Sequence, residues 1–151
     1  MIVRTGITSF YGRNKLPEFP FAAFKSMAYA CAIPCGYSIT RLLERGVTPN
    51  FHTAKLEGPE RSVDLLGHST FPIFAFAEPR EEYSCELTFR DAPTIASVLI
   101  QLFPHVTIAT LEELSRPIAK TDLDQLDRAE IGQVKYWKPH NIGELAFNWW
   151  D

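Results

Sequence analysis

The C-terminal stretch, residues 131–151, constrains the fold most strongly because it combines all three tryptophans with two apolar patterns around a turn. Residues 138–143 (Lys-Pro-His-Asn-Ile-Gly) have the composition of a turn. One antiparallel register across this turn gathers the apolar side chains on a single face, and a slip of one residue would mix the faces. The pattern therefore predicts a C-terminal β-hairpin over residues 131–149, with its apolar side in the core. The predicted pairs are Tyr136 with Leu145, Val134 with Phe147 and Gly132 with Trp149.

The opposite face of the predicted hairpin mixes flat aromatic rings with charged and amide groups, and it is the candidate recognition surface. Tryptophan is frequent in binding hot spots because it buries a large area at a small cost in side-chain entropy. The competing interpretation is that a helix or another strand covers the tryptophans, which would make them core residues. The candidate binding residues are Lys135, Trp137, Glu144, Asn148 and Trp150, with His140 in the adjoining turn.

Hydrophobic periodicity predicts two helices with clear apolar stripes, at residues 20–31 and 91–103. Residues 38–45 also predict a helix, because Ser38 is a possible cap and Gly46 follows the last apolar turn. Shorter helical segments are expected at 60–66, 111–115 and 121–126. The stripe residues are Phe21, Phe24, Ala28 and Cys31 in the first helix, and Ile95, Val98, Leu99 and Leu102 in the second.

Strand patterns are sharpest at residues 71–77, where both faces are apolar, and at 83–90, where the period is two. We expect these two strands to form a hairpin that pairs Phe76 with Cys85 and Phe74 with Leu87. Residues 83–110 further predict a β-α-β unit with parallel strands. Additional strands are expected at 2–10, 51–56 and 106–110, and a loop at 11–20.

These segments together predict an α+β fold in one domain spanning residues 1–151. The expected sheet is mixed but mainly antiparallel, has about five to seven strands and is packed by three or four helices.

Composition narrows the classes of partner. The chain has 15 Lys and Arg against 18 Asp and Glu, a net charge of −3, and no basic run, which disfavours nucleic-acid binding. It shows no signal-peptide pattern and no apolar run long enough to span a membrane. With three cysteines, an odd number, the expected setting is the reducing cytoplasm. The sequence carries no signal for an oligomeric state.

No motif identifies a cofactor, a metal or a catalytic centre. Cys31 and Cys35 are separated by three residues, whereas the thioredoxin-like pair is separated by two, and buried small hydrophobes explain them better. The histidines (His52, His68, His105 and His140) show no metal-binding spacing, and no nucleophile or phosphate-binding motif is present.

Two functional hypotheses follow. The leading one is a small interaction module, such as a regulator or inhibitor of a protein partner. The alternative is an enzyme or small-ligand-binding protein whose site assembles from dispersed histidine and acidic residues. A deep polar pocket joining a histidine to an acid or cysteine would favour the alternative, and an exposed tryptophan surface would favour the interaction module.

Overall fold

The computed structural model describes residues 1, 3–10 and 16–151. Over these residues the protein is mixed α/β, with a six-stranded, mostly antiparallel open sheet and six α-helices. The helices are α1 (Phe21–Ala32), α2 (Pro93–Leu102), α3 (Leu111–Ser115), α4 (Lys120–Leu123), α5 (Arg128–Trp137) and α6 (Ile142–Ala146), and a short 3-10 helix (Ile33–Cys35) follows α1. The strands are β1 (Ser38–Leu43), β2 (Phe51–Glu57), β3 (Val63–His68), β4 (Ile73–Ala77), β5 (Phe89–Arg90) and β6 (Thr107–Ile108). Among these elements, no helix has both the length and the apolar character needed to cross a bilayer.

The sheet runs in the order β1-β2-β3-β4-β5, with every neighbouring pair antiparallel. β6 is the exception, because it pairs in parallel with β4 beyond the end of β5. The predicted mainly antiparallel sheet of five to seven strands is therefore confirmed, whereas the prediction of three or four helices is too low, since the described residues form six. The predicted parallel β-α-β unit is wrong, since β5 and β6 both pair with β4 and run in opposite directions.

Period-two alternation sorts the side chains of the central strands into two cores. One face of the sheet is covered by α1 and α2, whose predicted apolar stripes pack into this core except at Leu102, which is 49% exposed. The other face is covered by the N-terminal segment, α3, α6 and the C-terminal tail. Buried side chains on the first face include Ala54, Leu65, Phe74 and Phe76, and those on the second include Phe51, Leu66, Ala75 and Phe147.

Several local predictions fail because strand pairing overrides local apolar spacing. Residues 38–45, predicted as a helix, contain β1, which pairs with β2 from Ser38↔Glu57 to Leu43↔Thr53. Residues 60–66, also predicted as a helix, contain the first part of β3, which pairs with β2 on one side and β4 on the other. In the hairpin predicted between residues 71–77 and 83–90, only Phe89 and Arg90 of the second segment are in a strand. They lie opposite Ala77 and Phe76, so the predicted pairing of Phe76 with Cys85 is wrong.

The N-terminal segment forms turns rather than the strand predicted at residues 2–10, of which residue 2 lies outside the described residues. Of the loop predicted at residues 11–20, residues 11–15 lie outside the described residues.

The predicted C-terminal hairpin is wrong, because the stretch forms α5 and α6. Each helix starts with a capping signal that the apolar alternation masked. Asp127 Oδ1 accepts a hydrogen bond from the Glu130 N–H at 2.9 Å, and Asn141 Oδ1 accepts one from the Glu144 N–H at 2.9 Å. Tyr136, which the hairpin would have buried, is 75% exposed, whereas Phe147 is in the core as expected.

The first turn of α5 also holds the N-terminal loop. The buried Glu130 carboxylate accepts hydrogen bonds from the backbone of Gly6 at 2.8 Å and of Thr8 at 3.1 Å, and from the Thr8 hydroxyl at 2.6 Å. Several charge-assisted bonds of this kind stabilise a buried carboxylate that would otherwise be costly. The buried Glu130 side chain thus anchors the N-terminal loop to α5.

His68, at the end of β3, is fully buried beneath the same loop. Its Nε2–H donates to the Ile7 carbonyl at 2.7 Å, and its Nδ1 accepts from the Thr70 N–H at 3.0 Å. Both ring nitrogens are therefore satisfied in the neutral form. Burial lowers the pKa of His68 from 6.5 to about 4, and burial also lowers the pKa of His52.

Two glycine substitutions test the packing and the helical C-terminal stretch together. A Cβ on Gly67 would lie 2.4 Å from the Phe24 ring of α1, so Gly67→Ala should cost about 1–3 kcal/mol through overpacking. Gly132 lies inside α5 with open space around it, so Gly132→Ala should stabilise the fold by about 0.5–1 kcal/mol. Urea denaturation of both variants measures the changes. A loss of stability in Gly132→Ala would contradict the helix.

The buried histidines predict a specific dependence of stability on pH. Unfolded His68 takes up a proton near pH 6.5, whereas the folded protein takes it up only near pH 4. The free energy of unfolding should therefore be highest above pH 6.5 and fall as the pH drops from 6.5 to about 4, by up to about 1.4 kcal/mol per pH unit for His68.

Urea titrations at a series of pH values measure this slope. His68→Gln should reduce it, and the exposed His105→Gln should leave it unchanged. A slope as steep in His68→Gln as in the natural chain would contradict the assignment.

Candidate functional site

A cleft of about 460 Å³ opens beside the C-terminal tail, and all three tryptophans of the chain line it. We call it the tryptophan cleft. Its lining comes from two parts of the chain, the segment leading into β5 and the region from the end of α5 to the tail. The lining residues are 85–89, Trp137, Pro139, Glu144 and 147–150.

The indoles differ in exposure. Trp137, at the end of α5, is 38% exposed, while Trp150 is 8% exposed. Their rings are parallel within 1°, with centroids 6.3 Å apart, and Trp137 Nε1 donates to Gln133 Oε1 at 2.9 Å. Trp149 is half-buried and packs edge-on against Phe51 with centroids 5.3 Å apart. Trp150 is therefore a core residue, Trp149 is half-buried, and Trp137 lies at the surface.

The tail that carries Trp149 and Trp150 is fixed by a pair of buried asparagines. The Asn50 N–H donates to the Asn148 carbonyl at 3.0 Å, and the Asn148 N–H donates to Asn50 Oδ1 at 2.8 Å. The Asn50 side-chain amide reaches the Ala146 carbonyl at 2.9 Å, and Asn148 Oδ1 accepts from the Trp150 N–H at 3.2 Å. Buried amides satisfied in this way hold the tail in one conformation.

Arg80 connects both sides of the cleft. Its guanidinium lies over the Trp149 ring at 5.3 Å and over the Phe51 ring at 5.6 Å. The same group donates to the Ser84 carbonyl at 3.1 Å and, more weakly, to the Glu81 carbonyl at 3.3 Å. It therefore fixes the residue that precedes the lining segment 85–89 while supporting an indole of the tail.

A buried carboxylate lies beside Arg80. Asp64 is fully buried on β3; its Oδ2 accepts from the Arg80 N–H at 3.2 Å and lies 3.5 Å from Lys55 Nζ. Within the described residues, Asp64 Oδ1 and Arg80 Nε have no hydrogen-bond partner. Burial raises the pKa of Asp64 and lowers the pKa of Arg80, because desolvation disfavours both charged forms.

The sequence-derived binding residues are only partly brought together. The cleft is lined by Trp137, Glu144, Asn148 and Trp150, while Lys135 and His140 are exposed outside its lining. Asn148 is buried and holds the tail.

Sequence reasoning missed Trp149, Arg80 and the segment 85–89 as parts of the site. The unbroken period of two at 83–90 was the available signal for the segment, but it was assigned to a paired strand.

The other candidates from the sequence lie apart. His52 and His68 are buried against backbone carbonyls, and the cysteines are all free. Burial raises the pKa of Cys31 to about 12, with the neighbouring Cys35 adding to the effect. Over residues 1, 3–10 and 16–151, no three His, Cys, Asp or Glu side chains come together as a metal-binding group.

Replacing Arg80 tests whether it organises the cleft. Arg80→Lys keeps the charge but removes the planar fork, so it should lower the free energy of unfolding by about 1–3 kcal/mol and increase quenching of the tryptophan fluorescence by iodide. Arg61→Lys is the matched control, since Arg61 is exposed and, in the described part of the chain, pairs only with Glu78 at the surface. Identical quenching in the natural chain and in Arg80→Lys would show that Arg80 does not hold the indoles in place.

Comparison with protein-family models, with curated proteins and with solved structures finds no match for this chain.

Proposed function

We propose that this protein is a recognition module that binds an extended segment of a protein partner in the tryptophan cleft. The observation that carries the proposal is that one cleft combines three indoles with a stretch of unpaired backbone. Indoles supply apolar contact area, and free backbone groups supply directional hydrogen bonds. The cleft volume of about 460 Å³ is sufficient for one or two side chains rather than for a folded domain.

The unpaired backbone groups lie within residues 85–88, which we call the free strip, although the Glu86 N–H donates to the Ser84 hydroxyl at 3.3 Å. The Thr88 carbonyl accepts from the Glu78 N–H at 2.8 Å and so extends the β4–β5 pairing by one step. Within the described residues, the N–H groups of Cys85 and Leu87 have no hydrogen-bond partner. Such a strip can pair with an incoming strand, which is how many sheet edges bind peptides.

The aromatic part of the cleft suits a protein partner because it is exposed and yet firmly held. Trp137 is 38% exposed, while Trp150, which stacks against it, is buried and fixed through Asn148. A rigid aromatic anchor loses little conformational entropy when a partner binds. A regulatory or inhibitory role would follow if the bound segment belongs to the active region of its partner.

The enzyme or ligand-binding alternative has less support. His140 and Glu144 do form a pair, with Nδ1 and Oε2 at 3.1 Å, but the imidazole side chain is 87% exposed. The His140 backbone N–H also donates to Glu144 Oε2 at 2.6 Å, so the pair forms part of the start of α6. This local arrangement is typical of a helix start and requires no catalytic role.

Removing the exposed indole tests the proposal. Trp137→Ala should weaken capture of the partner about tenfold or more, as expected for a hot-spot tryptophan, while the melting temperature changes little. Thr88→Trp, at an exposed lining position, should block the cleft and give a similar loss. Tyr29→Ala is the matched control, because Tyr29 is 39% exposed on α1, on the opposite face of the sheet.

The measurement is quantitative affinity capture from the native cell extract, followed by titration of the purified partner. Unchanged affinity in both Trp137→Ala and Thr88→Trp would overturn the proposed function.

A further inference from the structure

We infer that the partner places an arginine side chain in the tryptophan cleft, with its guanidinium against the Trp137 indole and its charge matched by Glu86 and Glu144. This inference rests on the proposed function and specifies the chemistry of the bound segment. Three observations carry it: the charges of the lining, the arrangement of the indoles and the free backbone beside them.

The lining of the cleft is acidic. Glu86 and Glu144 are its charged side chains, and no lysine or arginine belongs to it among the described residues. Within the same residues, Glu86 has no ion-pair partner, and Glu144 uses Oε2 for His140 while Oε1 has no hydrogen-bond partner. Two carboxylates beside apolar rings attract a cation and disfavour an acidic segment.

The indoles favour a flat cation. Trp137 stacks on Trp150, is met edge-on by the Tyr136 ring with centroids 5.1 Å apart, and is more than one-third exposed. A guanidinium is planar and weakly hydrated, and it both stacks on an indole and donates to carboxylates, whereas an ammonium is compact and strongly hydrated. The chain already uses this contact internally, where Arg80 lies over Trp149 and Arg4 lies 4.1 Å from the centroid of Phe71.

Arg80, which lies over Trp149, does not cancel the acidic lining. Arg80 donates to the carbonyls of Glu81, Glu82 and Ser84 and lies beside the buried Asp64. It is held in the wall and does not line the cleft. The occupant is a protein segment rather than a free small cation, because the free strip offers backbone donors that an extended main chain can pair with and a small cation cannot.

The test uses a capped glycine-flanked arginine peptide and its uncharged isostere, in which citrulline replaces arginine. Because all three tryptophans line the cleft, the indole Nε1–H signals in NMR spectra report binding directly. The arginine peptide should bind about tenfold more tightly than the citrulline peptide, with the largest shift on Trp137. The double variant Glu86→Gln, Glu144→Gln should lose most of this difference.

Glutamine keeps an acceptor for His140, so the double variant should preserve the start of α6. Glu112→Gln, at an exposed position on α3, is the matched control and should bind as the natural chain does. Equal binding of the two peptides, no shift from either up to about 10 mM, or tighter binding of free agmatine than of the arginine peptide would each overturn the inference.

These outcomes are distinct from failure of the proposed function. If the double variant captures the partner normally while Trp137→Ala does not, the cleft binds a segment of other chemistry. If neither change affects capture, the proposed function fails as well.

Discussion

Two buried asparagines, Asn50 and Asn148, are the constraint on which the C-terminal half of the structure depends. They join the start of β2 to the tail through two backbone donors and two side-chain groups of Asn50, and the Asn148 side chain also donates to the Thr8 carbonyl at 3.2 Å. Each amide is buried, so the loss of one would leave the other unsatisfied at a cost of about 1–3 kcal/mol for each group. The sheet, the N-terminal loop and the tail therefore meet at one polar junction inside an apolar layer. The positions of Trp149 and Trp150 follow from that junction, because they are the residues immediately after Asn148.

The tryptophan cleft is held by a second, independent anchor on its other side. Arg80 fixes residues 81–84 through their carbonyls and packs against Trp149, while the Asn50–Asn148 pair fixes the tail through its backbone. Trp149 and Phe51 link the two anchors, because each ring lies under the Arg80 guanidinium and each residue directly follows one of the two asparagines. Since neither anchor is part of the free strip, a partner could occupy the cleft without breaking either of them. This separation of support from contact surface is what a preorganised binding site requires.

The sequence predicted the elements whose local pattern and tertiary setting agree. The stripe containing Phe24 and Ala28, and the one containing Ile95 and Leu99, gave α1 and α2, and the doubly apolar run at 71–77 gave β4. It failed where a short helix and a strand share the same alternation. Val134, Tyr136, Leu145 and Phe147 fit a hairpin face, but the caps at Asp127 and Asn141 satisfy the N–H groups at each helix start, and the hairpin offered no such local bonds. The cleft itself was beyond prediction for another reason: Asn50, Arg80 and Trp149 come from distant parts of the chain, and only the folded sheet brings them together.

The helices α5 and α6 also explain why Trp137 is exposed while Trp150 is buried. In a hairpin, Trp137 and Trp150 would lie on one face and would be covered or exposed together. With α5 ending at Trp137, the left-handed Lys138 (φ 51°) redirects the chain, and the tail returns so that Trp150 packs beneath the indole of Trp137. One ring is then buried with the core while the other remains accessible. A surface tryptophan supported in this way keeps its orientation without a partner, so the ordering cost of binding is largely met during folding. Under the proposed function, the acidic lining and the free strip would select the bound segment, and the stacked indoles would set where it binds.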